Sequence, residues 1–238
     1  MRFYIGPDRR RGPAYGRSVD DELLERLSRL DSCALSDALD SFGMSGVVLG
    51  LAALSGCRRI AGRAVTVKLG PDDGRESKRH LGTAAVEAAG SDSIIVVDHD
   101  GRTDVAGWGG ILSLAASGKG VRGAIIDGAC RDIDEARALD FTLYARTGVP
   151  RTARGRIIEL DWNVPVQLAG IEIAPGDLIL ADGSGIVVLP ASRAPELIAR
   201  AESIADREAL MAAAVRSGRP VSQVMAGDYE DMLKGQGA

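Results

Sequence analysis

Apolar residues Val19, Leu23, Leu27 and Leu30 recur at the spacing of one helical stripe. Ser18 and Asp21 form a capping-box pattern ahead of them, and acids fill the first turn, so a helix is expected from Ser18. A second helix is expected near Ser32–Phe42, stopped by Gly43. The period then shortens: "AVTVKL" (64–69) reads as a strand, followed by the Gly- and Asp-rich loop "GPDDGRES". From there strand and helix patterns alternate. Residues 77–89 read as helix, "SIIVVD" (93–98) as strand, 110–117 as helix and "RGAIID" (122–127) as strand; 132–139 reads as helix and "FTLYAR" (141–146) as strand. Apolar strands separated by short helices predict parallel βαβ units and an α/β domain.

Beyond Pro150 the texture changes. Residues 164–190 carry short β runs broken by Ala-Gly, Pro-Gly-Asp and Asp-Gly, a meander or barrel-like pattern. A long amphipathic helix is expected from Pro195 to about Arg216, with Gly218 beyond its end. The expected organisation is an Arg-rich arm over residues 1–17, then one domain over 18–238 with a C-terminal helical segment over about 195–235. The arm reads either as a segment laid on a neighbouring subunit or as a nucleic-acid tail.

Composition narrows the partners. With 29 Lys and Arg against 33 Asp and Glu, the chain carries a formal charge of -4, which argues against nucleic acid as its main partner. No apolar run approaches the roughly 20 residues of a membrane span, and the amino terminus lacks an apolar signal core. Three widely spaced cysteines (Cys33, Cys57, Cys130) predict a reducing compartment and no disulfide framework, hence a cytoplasmic location.

In parallel α/β domains, ligands sit at the carboxyl ends of the strands. Two stretches fall there: "HDGRTDVAGWGG" after strand 93–98 and "GACRD" after strand 122–127. Arg131 either forms a salt bridge to Asp127 or Asp98, or serves as a fork for a carboxylate or developing oxyanion. Asp132 either caps the next helix, with Glu135 completing a capping box, or binds a metal. The glycines of "GWGGILS" either permit a tight turn or present the N–H groups of Gly109 to Leu112 to an anion. "DHD" (98–100) reads as a turn rather than a metal cluster, and "DGSG" (182–185) as a turn. With only His80 and His99 available, any metal is expected to be a hard, oxygen-ligated cation. Cys130 reads as a small buried residue of the turn 128–130, not as an activated thiol.

These residues resemble the RraA-like family, which includes 4-hydroxy-4-methyl-2-oxoglutarate aldolase. The resemblance rests on Gly110, the run of twenty residues from Ile111 to Cys130, and Arg131-Asp132. It extends through "SDALDSFG", "AGRAVTV" and "PGDLILADGSGIVVLP". It implies an α/β/β/α sandwich related to swivelling phosphohistidine domains, assembled as homotrimers or hexamers with sites between subunits. The implied activity is that of a divalent-metal-dependent lyase, a class II pyruvate aldolase with oxaloacetate decarboxylase activity. A non-catalytic oligomer that regulates a partner such as ribonuclease E is the alternative. By position, Asp132 would hold Mg2+ or Mn2+ and Arg131 would bind the keto or enolate oxygen. The N–H groups of Gly109, Gly110, Ile111 and Leu112 would bind the pyruvyl carboxylate, and His80 a second carboxylate of the 2-keto acid. Aldolases of the family often carry an acid where this chain has Gly110, so Asp104, Asp98 or a neighbouring subunit's acid is expected to substitute.

Overall fold

The computed structural model describes residues 19–56, 58–75 and 79–225, with side chains from residue 21 onward. The Arg-rich arm, the Ser18 cap, Cys57 and the end of the 195–235 segment lie outside the described residues. The chain opens with helices α1 (Val19–Arg29) and α2 (Ser32–Ser41) and two short strands, β1 (Val47–Val48) and β2 (Ala52–Ser55). Then come β3 (Ile60–Pro71), α3 (Thr83–Ala88), β4 (Ser93–Asp98), α4 (Gly110–Gly118), β5 (Gly123–Cys130), α5 (Ile133–Ala138) and β6 (Thr142–Gly148). Five further strands follow: β7 (Ile157–Trp162), β8 (Val166–Leu168), β9 (Ile171–Ile173), β10 (Leu178–Ala181) and β11 (Ile186–Leu189). Helices α6 (Ala194–Arg216) and α7 (Val221–Val224) close the described chain.

Strands β3 to β6 pair in parallel and in chain order, as the alternating pattern predicts. The rest of the large sheet is antiparallel, giving the order β1-β11-β10-β3-β4-β5-β6-β2 with β7 paired to β3. Side-chain alternation sorts the core into layers. Val67, Ile95, Val97, Ala124 and Ile126 pack against Ala85, Ala116 and Ala136 of α3, α4 and α5. Their neighbours Ala64, Ile94, Val96 and Ile125 face the other way, onto Val166, Leu168 and Ile173 of the β8–β9 hairpin and onto Ile179 and Val188. Leu178, Leu180, Val187 and Leu189, on the outer side of β10 and β11, meet Leu27, Leu35, Leu39, Leu197 and Ile198 of α1, α2 and α6. Helices, sheet, returning sheet and helices thus stack as an α/β/β/α sandwich.

Buried acids fix the turns. Asp98 accepts from the Asp100 N–H (3.2 Å) and from the Gln167 N–H (3.2 Å). Asp127 accepts from Arg146 Nε (2.5 Å) and from the Ala169 N–H (2.6 Å). Both carboxylates therefore tie the β8–β9 hairpin to the sheet, and "DHD" is a turn with Asp100 and Gly101 at positive φ (53° and 66°). "DGSG" is also a turn, closed by the Asp182 N–H donating to Gly185 O. Asp182 takes the Ser32 N–H (2.9 Å), Ser32 Oγ (2.7 Å) and the Ser184 N–H (3.0 Å), anchoring the start of α2.

Burial alone would raise the Asp182 carboxyl, but these hydrogen bonds and the nearby Arg59 together hold it below its ordinary value of 3.8. A depressed carboxyl stabilises the fold fully above the unfolded value, and that contribution is lost as pH falls through the lower native one. Asp182→Ala is expected to cost about 1–3 kcal/mol by orphaning these donors. Melting temperatures from pH 7 to pH 2 should show the variant's deficit shrinking at the acid end. An equal deficit at every pH would contradict the assignment.

Several elements depart from the pattern-based expectation. Of the helix expected over 77–89, residues 77 and 78 lie outside the described residues, and from 79 onward only Thr83–Ala88 is helical, because Gly82 ahead of it sits at φ 70°, outside helical space. The turn expected at 128–130 is instead the end of β5. The loop after β4 pairs beside it: Ala129 N–H donates to Arg102 O, Gly107 N–H to Ala129 O, and Arg131 N–H to Trp108 O. Gly128 is required there, since a Cβ would stand 2.5 Å from His99 Cδ2 and 2.7 Å from Arg102 O. No helix among the described residues is long and apolar enough to cross a membrane.

Candidate active site

The same backbone ladder brings the two loops together at one sheet edge. By laying residues 102–108 along the end of β5, it delivers Gly109 and Gly110 next to Arg131 and Asp132. A cleft of about 440 Å³ opens over this junction. Its floor holds Trp108 to Leu112, Arg131 and Asp132; Ala106, Leu81, Ile157 and Ile158 wall it, and Arg79, His80, Thr152 and Arg154 also line it. Arg131, Asp132, His80 and Gly109 to Leu112, all singled out from sequence, therefore share one cleft.

Asp132 does not cap α5. Its backbone is left-handed (φ 59°, ψ 39°), and its side chain makes no cap hydrogen bond to that helix. A capping residue needs extended backbone to turn its oxygen back onto the helix, so the capping box with Glu135 does not form. Asp132 Oδ2 instead accepts the Gly110 N–H at the start of α4 (2.9 Å). Arg131 pairs with neither Asp127 nor Asp98; its Nε lies 3.2 Å from Asp132 Oδ2. Among the N–H groups expected to bind an anion, that of Gly110 is thus already taken. Those of Ile111 and Leu112, in the first turn, have no intrahelical acceptor by helix geometry.

Gly110 proves informative in three dimensions. A Cβ on it would overlap Glu135 Oε2 and stand 2.9 Å from Glu135 Cδ and 3.1 Å from Asp132 Cβ. The Glu135 carboxylate therefore occupies the volume that a side chain at 110 would fill. The i, i+3 spacing of Asp132 and Glu135 is the sequence signal for this arrangement, although locally it has the pattern of a capping box. Asp104 lies outside the cleft lining, held by Arg102 (3.0 Å) and Arg151 (3.7 Å), and Asp98 is committed to the β8–β9 hairpin.

Two other polar side chains nearby are structural. His99 is buried, its Nε2 lies 2.8 Å from Val105 O, and burial pushes its pKa down. Burial, then the charge of Asp132, pushes the Cys130 thiol up to about 11, so it is not a thiolate at neutral pH. On the wall, the buried Glu159 accepts the Gly82 N–H (2.7 Å) and anchors the segment that carries Arg79 and His80. Burial raises its carboxyl above the ordinary value.

The donor set suits a hard divalent cation. Asp132 Oδ1 and the Glu135 carboxylate have no hydrogen-bond or ion-pair partner among the described residues. Two carboxylates leave the rest of an octahedral shell to water and substrate oxygens, the usual mode for Mg2+. No group of three His, Cys, Asp or Glu that could hold an ion is present among the described residues.

Known proteins resemble this chain over most of its length. A family model described as RraA-like (Aldolase/RraA) matches residues 32–188. The chain belongs to the RraA-like family. Among the relatives of this RraA-like chain, DlpA of Legionella pneumophila is 28% identical over 201 residues, 84% of this chain but 33% of DlpA. The chain thus spans about a third of that relative's length. A protein of Thermus thermophilus named 4-hydroxy-4-methyl-2-oxoglutarate aldolase is 33% identical over 136 residues, 57% of this chain and 78% of that protein. Among solved structures, Streptomyces coelicolor RraAS2, titled an unusual member of the RNase ES inhibitor RraA family, superposes with a TM-score of 0.74 at 27% identity. It covers 79% of this chain and 96% of its own. RraA-like relatives therefore carry both aldolase and ribonuclease-inhibitor names.

Proposed function

We propose that the protein is a divalent-cation-dependent lyase that cleaves 4-hydroxy-2-keto acids, such as 4-hydroxy-4-methyl-2-oxoglutarate, to pyruvate and also decarboxylates oxaloacetate. The observation that carries this reading is that Arg131 and Asp132 line one cleft with the start of α4, where the Glu135 carboxylate packs against Gly110.

Breaking the C3–C4 bond of such a substrate sends its electron pair into the C2 keto group as an enolate. The 4-hydroxyl loses its proton as the new carbonyl forms, and C3 later takes up a proton to give pyruvate. Loss of carbon dioxide from oxaloacetate leaves the same enolate. The Arg131 guanidinium donates to the C2 oxygen as charge grows there, a stabilisation strengthened by the apolar wall of Leu81, Leu112 and Ile157. The Ile111 and Leu112 N–H groups hold the pyruvyl carboxylate at the positive end of α4. Asp132 and Glu135 would hold Mg2+ or Mn2+, which supplies Lewis-acid stabilisation of the developing negative charge.

The protein should be incubated with a panel of 4-hydroxy-2-keto acids and oxaloacetate while pyruvate is followed. Release with Mg2+ or Mn2+, abolished by EDTA, is expected. Release that survives thorough chelation would contradict the cation's role, and no release from any substrate would favour the regulatory reading. That second reading draws on the ribonuclease-inhibitor name of the Streptomyces neighbour and on the exposed apolar Ile111 and Leu114 of α4.

A further inference from the structure

The segment "RTARGR" (151–156) carries three arginines, of which Arg154 lines the cleft and Arg151 and Arg156 do not. The Arg151 guanidinium lies 3.7 Å from Asp104. Arg156 Nη1 donates to the carbonyls of Thr152 (3.4 Å) and Arg154 (3.2 Å), and the Thr152 hydroxyl accepts the Arg154 N–H (3.3 Å). These contacts set the turn that carries Arg154. The guanidinium of Arg154 itself lines the cleft and has no hydrogen-bond or ion-pair partner among the described residues. Arg131, the cation at the reacting end, is by contrast paired with Asp132.

Size points the same way. Ligand sites of roughly 300–1,000 Å³ enclose molecules well beyond three carbons. A cleft of about 440 Å³ therefore has room past the pyruvyl portion. The lining includes apolar Leu81, Ala106, Ala153 and Ile157, and its carboxylate, Asp132, is paired with Arg131. A guanidinium beside an apolar wall is matched best by a planar carboxylate, which it can grip with two parallel hydrogen bonds.

We infer that Arg154 is a specificity-determining residue that binds a second carboxylate at the end of the substrate opposite the pyruvyl carboxylate. The inference rests on the lyase reading for the orientation of the substrate. It assigns the preference for dicarboxylic over monocarboxylic 2-keto acids to one side chain of the loop after β6. His80 and Arg79 line the same cleft and are left intact by a substitution at Arg154.

The test uses a matched pair of unreactive probes, 2-oxoglutarate and 2-oxopentanoate, which share a five-carbon chain and differ in the distal carboxylate. Their dissociation constants are measured calorimetrically with Mg2+ on the wild type, Arg154→Gln and Arg154→Lys. The wild type should prefer 2-oxoglutarate by about 10–100-fold, the worth of one charge-assisted hydrogen-bonded pair. Arg154→Gln should erase that preference and leave 2-oxopentanoate unchanged, and Arg154→Lys should retain part of it. Equal affinities on the wild type would overturn the inference, as would an Arg154→Gln variant that keeps the preference or weakens both probes alike. The lyase reading fails separately: a wild type that discriminates through Arg154 yet releases no pyruvate contradicts the reaction and leaves the carboxylate site standing.

Discussion

Arg131→Lys is expected to lower the rate of pyruvate release by about 10²–10³, the usual order for losing an oxyanion stabiliser. Divalent-ion affinity and melting temperature should stay close to wild type. Lysine keeps the positive charge but is a point charge on a flexible stem, without the planar fork of guanidinium. Arg131 is 42% exposed at its side chain, so no packed core depends on it. Its backbone N–H, which joins the loop after β4 to the end of β5, is unaffected by the substitution. Turnover, metal titration and thermal melts on the one variant separate the alternatives. A fall in melting temperature with matching loss of metal would make the Arg131–Asp132 pair architectural. Unchanged turnover would remove Arg131 from the chemistry.

The second large effect is expected at the carboxylates. Asp132→Asn should weaken Mn2+ binding by more than about 100-fold, beyond the 10–100-fold typical of residues that merely support a ligand. Its fold should persist. Asparagine tolerates the left-handed backbone at φ 59° as aspartate does, and its amide oxygen still accepts the Gly110 N–H. Glu135→Gln should weaken binding in the same direction while the Gly110–Asp132 contact stays intact. Gly110→Ala offers an independent route to that outcome, because its Cβ displaces the end of the flexible Glu135 side chain. The informative double variant is Gly110→Asp with Glu135→Ala, which moves the carboxylate from one backbone to the other within one volume. Recovery of Mn2+ affinity over Glu135→Ala alone is expected. No recovery would mean that Glu135 acts elsewhere.

The parallel core and the meeting of two loops were legible because each strand carries its own apolar signature and chain order alone makes the four strands neighbours. "SIIVVD" is a strand over the same residues in the fold. The acid that accompanies Asp132 was not legible. Asp-x-x-Glu ahead of a short helix has the local pattern of a capping box, and only the left-handed backbone of Asp132 turns that carboxylate onto another helix. Sequence alone leaves Asp104, Asp98 or a neighbouring subunit's acid open as the substitute. Asp104 is held by Arg102 and Arg151, one of them 47 residues away, which local sequence does not reveal. Arg154 was missed for a related reason. Three arginines within six residues look alike in sequence, and only the acceptors found by Arg151 and Arg156 single out the third. Strands β1, β2 and β7 are short or depend on β11, β6 and β3, so their pairing is a property of the tertiary fold rather than of local periodicity.

The measurement that bears most directly on a cation held by Asp132 and Glu135 is a Mn2+ titration of the wild type beside Asp132→Asn and Glu135→Gln, followed by electron paramagnetic resonance. One saturable site per chain is predicted on the wild type, weakened in both variants without a matching loss of melting temperature. A wild type that leaves all the Mn2+ free, or variants that bind it as well as wild type, would contradict the account.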